Sequence, residues 1–415
     1  MDEAVSSRDQ PASNVTAPRV LVLSTYYHPV VGGVETHTRQ IVRALHAEGF
    51  GIAVVTKRLG EGDEPPQVDG VPVMRVAPRG PRAGWAKWAM IPCATAAMLR
   101  LRREFDVVYC PDYRGIGLAA LIAGRLLHRP VVLETGVTGI LSCANWNPAL
   151  RRLGVDGQGW LGRLLKWPMQ RLYRSANAYP CITREIEREA LASGVPPDRV
   201  HYLPYGVDLR RFRPATIGER EAIRAEVGWP PDRTIVLYVA RLSVEKGILD
   251  LLDAWRHIDD ATAVLVVVGP DMAGHHLDAG PAARRMVVEA GLEGRVVFHG
   301  PTSDPAPLFR GADIFVQPSH WEASPAAVVE AMASRLPVVA SRVGGMAEYL
   351  VDGANALFCE PKAPATLAGP LNRVISDAPL RARLAAAARE TAEREFDADR
   401  LHAKYAKLFR DLAGR

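Results

Sequence analysis

Unbroken aliphatic runs recur along this chain, most of them followed by a stretch of helical periodicity, and the series is written twice. The first run, Arg19-Val-Leu-Val-Leu-Ser24, shows no polar alternation, so the strand it predicts is buried on both faces. A glycine turn and a helical pattern over 34–48 follow, then Ile52–Thr56 as a second strand. Val71–Val76, Asp106–Cys110, Val131–Glu134, Ala178–Ile182 and Val200–Leu203 continue the series. The second half starts again with Thr234–Ala240 and goes on through Ala263–Val268, Val296–Phe298, Ile314–Gln317 and Val338–Ala340. Helices are expected at 248–257, about 282–290, 304–310, 325–334 and 345–351, and from about 364 onward. Strands alternating with helices predict α/β architecture, with parallel sheets joined by βαβ crossovers.

At 415 residues, two domains are the simplest division. Pro204-Tyr-Gly-Val-Asp-Leu-Arg-Arg-Phe-Arg-Pro214 is rich in turn formers and charge, and marks the linker. Two Rossmann-like domains are expected, over 19–210 and 211–395, after a disordered tail at 1–18, with a ligand cleft between them.

Composition excludes several classes. A 48% hydrophobic and 23% charged chain is not wholly disordered. Five widely spaced cysteines (Cys93, Cys110, Cys143, Cys181, Cys359), without a CxxC, do not suit a disulfide framework or a structural zinc site and fit a reducing compartment. The first 18 residues lack the apolar stretch of a signal peptide, and Asn14-Val15-Thr16 then reads as a chance sequon. The longest apolar run, Ala89–Leu99, is too short to span a bilayer. The net charge of +5 is modest and comes with no nucleic-acid motif, so no nucleic-acid partner is expected. It is unevenly placed: residues 75–174 carry 16 basic against 5 acidic side chains.

Three segments carry candidate chemistry. In His28-Pro-Val-Val-Gly-Gly-Val-Glu35, Gly32 and Gly33 stand where a strand turns into a helix; backbone N–H groups there suit a phosphate, although an ordinary tight turn uses the same residues. It is neither a dinucleotide fingerprint nor a P-loop. Val239-Ala-Arg-Leu-Ser-Val-Glu-Lys-Gly247 places Arg241 and Lys246 around a second such turn, as diphosphate partners or as two solvated cations. In Gln317-Pro-Ser-His-Trp-Glu-Ala-Ser-Pro-Ala-Ala-Val-Val-Glu-Ala-Met332, Ser324 is expected to cap a helix whose first residue is Pro325. Glu322 then precedes the helix and Glu330 lies in its second turn, so that two carboxylates can grip opposite ends of an extended polyhydroxyl ligand.

In their order, these segments resemble the family 4 glycosyltransferases of the GT-B fold. Gly-Gly-Val-Glu35, Pro-Tyr-Gly-Val-Asp208, Arg-Leu-Ser-Val-Glu-Lys-Gly247, Val-Val-Phe-His-Gly300, the Glu322/Glu330 pair, Pro-Val-Val-Ala-Ser341 and Gly-Gly-Met-Ala-Glu348 carry the likeness over about 19–412. The resemblance implies retaining transfer of a sugar from a nucleoside-diphosphate donor to a hydroxyl acceptor. The first domain would take the acceptor and the second the nucleotide sugar. Residues 396–415 would form a helix crossing back to the first domain. By the same resemblance, Arg241 and Lys246 neutralise the diphosphate, Glu330 holds the ribose and Glu322 the donor sugar. The helix start at Ser324, Pro325 and Ala326, with Ala323, would supply N–H groups, Gly33 with Gly32 would approach the phosphates, and the stretch at His299 would read the base. No cofactor is implied; with cations already on the diphosphate, no metal is expected.

Many relatives carry a histidine after a first-domain strand, where this chain has Val131-Val-Leu-Glu-Thr-Gly-Val-Thr-Gly139, and Tyr109-Cys-Pro-Asp112 replaces a commoner His-rich run. Glu134 or Thr135 takes the histidine's place; Glu134 either serves the acceptor as orienter or base, or caps the strand, and His28 is a further acceptor-side candidate. The basic stretches Trp85–Arg103 and Trp160–Arg174, the second interrupted by Pro168, suit an anionic membrane surface or a phosphate-bearing or lipid-linked acceptor, or are simply solvated helices. The expected setting is cytoplasmic, on the inner face of a membrane if the basic segment binds lipid. The alternatives are a catalytically inactive nucleotide-sugar-binding protein and a GT-B relative such as an epimerase.

Overall fold

The computed structural model describes residues 17–30, 32–60, 64–76, 86–111, 115–139, 141 and 160–414; side chains of 86–88 and 160–166 are not described. Most of the expected tail, the Asn14 sequon, Cys143, Trp85 and Asp112 fall outside the described residues.

The first sheet contains β1 (Arg19–Ser24), β2 (Gly51–Lys57), β3 (Gln67–Val68), β4 (Val71–Val76), β5 (Val107–Cys110) and β6 (Val131–Leu133), in the order β3-β4-β2-β1-β5-β6. Only the β3–β4 pair is antiparallel. β7 (Tyr179–Cys181) and β8 (Val200–Tyr202) pair in parallel and join β6 through bridges at Val132–Ala178 and Thr135–Cys181. On one face lie α2 (Ala86–Arg100), α3 (Ile116–Leu126), α4 (Trp160–Tyr173) and α5 (Arg184–Ala192); on the other lies α1 (Gly33–Ala47). α4 is continuous through Pro168, which corrects the expected interruption: a proline removes one N–H without forbidding the helix on either side.

After α6 (Glu219–Val227), the second sheet is wholly parallel, in the order β11-β10-β9-β12-β13-β14. Its strands are β9 (Ile235–Val239), β10 (Val264–Val268), β11 (Val296–Gly300), β12 (Ile314–Gln317), β13 (Val338–Ser341) and β14 (Ala356–Cys359). The helices between them are α7 (Ile248–Trp255), α8 (Gly280–Glu289), α9 (Ala306–Gly311), α10 (Ala326–Ala333) and α11 (Met346–Tyr349). α12 (Ala368–Ser376), α13 (Ala378–Glu395) and α14 (Ala398–Ala413) follow. β14 is absent from the sequence reading, because Ala356-Leu-Phe-Cys359 lacks the β-branched residues that mark β12 and β13.

Both sheets reverse strand order beside their first strand: β2 and β5 flank β1, and β10 and β12 flank β9. Ligands of open α/β sheets bind beyond the carboxyl ends of strands at such a switch point. Gly32 and Lys246 follow β1 and β9, and Glu322 follows β12.

Among the described residues, two connections tie the domains. Val207 bridges to Asp397, and Gly206 packs so tightly on Ala398 that a Cβ would lie 2.7 Å from its Cα. From there α14 returns to the first domain, where Leu401, Tyr405, Ala406, Phe409 and Leu412 are buried with Val20, Val22, Ile41 and Val42. At the other contact, the Glu348 carboxylate accepts the Arg184 and Glu185 N–H groups at 2.6 and 2.8 Å, so a second-domain acid caps first-domain α5.

Candidate functional site

The second-domain wall is built by backbones that only glycine can fit. Gly247 has φ +72°, and a Cβ there would lie 1.9 Å from the Pro318 carbonyl, which presses the Arg241–Lys246 turn onto the loop after β12. From the opposite side, a Cβ on Gly344 would meet the Glu322 carbonyl at 1.7 Å, and one on Gly345 the Ala323 carbonyl at 1.9 Å. Glu322 is thereby wedged in place with its side chain 8% exposed. Its Oε1 meets Lys246 Nζ at 2.6 Å and accepts the Ser319 hydroxyl at 2.9 Å, while Gln317 donates to Ser319 at 2.7 Å. The expected diphosphate cation and sugar-binding carboxylate are therefore partners: Lys246 holds Glu322, and the bond fixes both side chains. Arg241 is unlike Lys246. Its side chain is 54% exposed and only loosely paired with Glu245 at 3.5 Å.

Helix α10 begins one residue later than expected. Pro325, at ψ 115°, is the N-cap, and no side chain caps the helix, so Ser324 does not play the predicted part. Helix α1 also starts without a side-chain cap, at Gly32. The Glu35 carboxylate lies against this helix start, with Oε2 2.3 Å from where a Cβ on Gly32 would stand, a contact that a shift of the Glu35 side chain can relieve. Gly32, Gly33, Ser324, Ala326 and Glu330 together line an interdomain cavity of about 200 Å³. Two uncapped helix N-termini, one from each domain, thus meet at one space, an arrangement suited to an anion.

Glu330 stands on the wall of this cavity beside Val329, and its carboxylate has no hydrogen-bond partner among the described residues. Burial pushes its carboxyl up to about 7, with nearby Arg211 opposing and Asp304 adding to the rise. Arg211 is itself paired with Asp304 at 2.7 Å.

Other expected site residues lie elsewhere. His299, on β11, sets its ring edge-on to Trp229 at 6.4 Å and does not line the cavity. His28 has Nδ1 3.3 Å from Arg39, whose guanidinium grips Asp69, and its carbonyl accepts Arg75 at 2.8 Å; it belongs to this ion cluster rather than to the cavity. Glu134 is completely buried: Oε2 accepts the Tyr109 hydroxyl at 2.6 Å and the Tyr405 hydroxyl at 2.8 Å, with His37 Nε2 3.5 Å away. That setting corrects the acceptor-side reading, because a base must reach the proton it removes. Thr135, 1% exposed, is likewise inside, bridged to Cys181.

The sequence reading passed over His37, Tyr205 and Asp208, which also line the cavity. Their signal was available: His37 lies four residues after Gly33, and Tyr205 and Asp208 lie in the quoted Pro-Tyr-Gly-Val-Asp segment.

Comparison with known proteins gives this geometry its context. Residues 32–206 match the model described as "Glycosyl transferase 4-like domain", and residues 219–391 the model "Glycosyl transferases group 1". A D-inositol 3-phosphate glycosyltransferase of Xylanimonas cellulosilytica is 29% identical over 91% of this chain and 93% of its own length. One of Mycobacterium bovis is 30% identical over 84% of this chain and 72% of its own length. The fold is shared with Anabaena HepE solved in complex with UDP (TM-score 0.76, 20% identity, 95% of this chain and all of that one). It is also shared with sucrose-phosphate synthase of Thermosynechococcus elongatus (TM-score 0.75, 22% identity, 95% and 99%). With both domains matched in order and the cleft placed between their switch points, this chain belongs to the group 1, GT4 family of glycosyltransferases and has the GT-B fold.

Proposed function

We propose that this glycosyltransferase moves a hexosyl group, with retention at the anomeric carbon, from a nucleoside diphosphate to a hydroxyl of a phosphate-bearing acceptor. The observation that carries the reading is the cavity where the uncapped starts of α1 and α10 meet beside the unpartnered Glu330. The diphosphate lies at the two helix starts, and Glu330 accepts ribose hydroxyls. As the bond from the anomeric carbon to the diphosphate breaks, negative charge builds on the departing oxygen. Preplaced N–H groups and the Lys246 ammonium then stabilise it, with Arg241 as a weaker, solvated contributor. Glu322, fixed by Lys246 and Ser319, orients the sugar. These groups carry the diphosphate's charge without a metal, so rates are expected to be unchanged in EDTA. The acceptor's phosphate is supported by the basic excess at 75–174 and by the relatives' names, which specify D-inositol 3-phosphate.

The test is to incubate the protein with a panel of nucleotide sugars, with and without D-inositol 3-phosphate, and to measure nucleoside diphosphate release. Acceptor-stimulated release from one donor is expected; binding without release would favour an inactive nucleotide-sugar binder.

A membrane partner is proposed from a separate observation. Arg125, Arg171, Arg174 and Arg199 surround a cavity of about 400 Å³ with Trp167, and none pairs with a carboxylate among the described residues. Trp167 and Leu126 are 55% and 65% exposed beside them. Cations mixed with exposed apolar side chains suit an anionic bilayer surface. Among the described residues, no helix is long and apolar enough to cross a membrane. Flotation with anionic but not neutral vesicles is expected, and equal, negligible binding to both would remove this partner.

A further inference from the structure

We infer that Glu134 is a positioning residue for the donor-binding wall, acting through Tyr405 and His37, rather than a base on the acceptor. The inference rests on the donor site proposed above. Glu134 follows β6 and has no solvent exposure. The groups around its Oε2 come from three other elements: the Tyr109 hydroxyl from β5 at 2.6 Å, the Tyr405 hydroxyl from α14 at 2.8 Å, and His37 Nε2 from α1 at 3.5 Å. A buried carboxylate is costly unless hydrogen-bonded, and Oε1 is buried without a partner among the described residues, so the bonds to Oε2 offset that cost and hold these elements together.

Two of the three lead to the cleft. His37 lies four residues after Gly33, one turn along the same helix face, so a displacement at His37 displaces the donor turn. Its ring packs on Tyr205 with centroids 4.0 Å apart and a tilt of 30°, and both residues line the interdomain cavity. Tyr405 belongs to the helix that arrives from the second domain through the Val207–Asp397 bridge, with Gly206 packed on Ala398. One carboxylate therefore sets how the returning helix sits on α1, and with it where Gly32 and Gly33 stand relative to Ser324 and Glu330.

Three variants of the full chain test this: Tyr405→Phe, Glu134→Gln and, as control, Tyr179→Phe. Tyr179 is also buried, donating its hydroxyl to the Tyr173 carbonyl and accepting the Ala176 N–H at 2.9 Å, but it touches neither α1 nor α14 through these bonds. The readouts are thermal unfolding, calorimetric affinity for UDP (or the diphosphate selected by the donor panel), and KM against kcat. Both phenylalanine variants are expected to unfold at lower temperature, but only Tyr405→Phe to weaken diphosphate binding, about three- to tenfold, with KM rising more than kcat falls. Glu134→Gln, which keeps an oxygen for the two hydroxyls, is expected to bind within about threefold of the parent. Equal affinity loss in the two phenylalanine variants, or none in Tyr405→Phe, would overturn the inference. So would a hundredfold fall in kcat for Glu134→Gln at unchanged donor affinity, the mark of a base. If Glu330→Ala also kept full affinity, the donor-site reading would fall and take this inference with it.

Discussion

The two walls of the cleft treat their carboxylates in opposite ways. On the first-domain side, Glu134 is sealed from solvent and accepts two tyrosine hydroxyls. On the second-domain side, Glu330 faces a cavity with no hydrogen-bond partner among the described residues, and its carboxyl is raised to about 7 by burial. Residue type does not distinguish them. A carboxylate sealed among protein donors is a structural fixture, even though Glu134 Oε1 has no partner among the described residues, whereas one that faces a cavity is prepared for a ligand. Glu322 is intermediate: one oxygen is held by Lys246 and Ser319 in a largely enclosed pocket.

The contrast can be broken most sharply at Lys246. Lys246→Ala leaves Glu322 an enclosed charge without its counterion and removes a cation from the diphosphate. A fall of about 10²–10³ in kcat/KM is expected with the circular dichroism spectrum retained. Unchanged turnover would remove the pair from the chemistry. Glu330→Ala comes next. Charged hydrogen bonds are worth about 1.5–3 kcal/mol each, so a rise of about 10- to 100-fold in the donor Kd by calorimetry is expected.

The raised carboxyl of Glu330 adds a pH signature. Donor affinity is expected to grow about tenfold between pH 6 and 8, as a group titrating near 7 ionises, and Glu330→Gln should flatten the profile. Without ligand the sign reverses. The folded chain keeps this proton over the window from 4.5, the ordinary value, to about 7, while the unfolded chain releases it. This group's contribution to stability therefore falls as pH rises through that window, and thermal melts of the parent and Glu330→Gln should diverge there. The smallest effect belongs to Arg241, whose exposed pair with Glu245 is screened by solvent. Arg241→Ala is expected to change KM by only a few fold, and less at high salt.

The parallel sheets were legible because buried strands have a plain signature, and β4 and β12 occupy the expected residues. The Gly32–Gly33 turn and the Glu322/Glu330 spacing also stood out, and the structure brings Gly32, Gly33, Ser324, Ala326 and Glu330 to one cavity. What escaped were relations between distant segments. Nothing local to Glu134 announces that Tyr405, 271 residues downstream, will bond it. Nothing local to Lys246 tells that its charge will be matched by Glu322. The N-cap of α10 was misplaced because Ser-Pro is a helix start on local grounds, whereas Pro325 here keeps an extended ψ of 115°.

The return of α14 also bears on how the chain is made. Leu401, Tyr405, Ala406, Phe409 and Leu412 complete a core whose other members include Val20, Ile41 and Val132. During synthesis, the domain that leaves the ribosome first must keep an apolar face open until the entire second domain has followed it. The earliest part of the molecule to be translated is thus the last to be finished, and its exposed flank in that interval is a natural client surface for a chaperone.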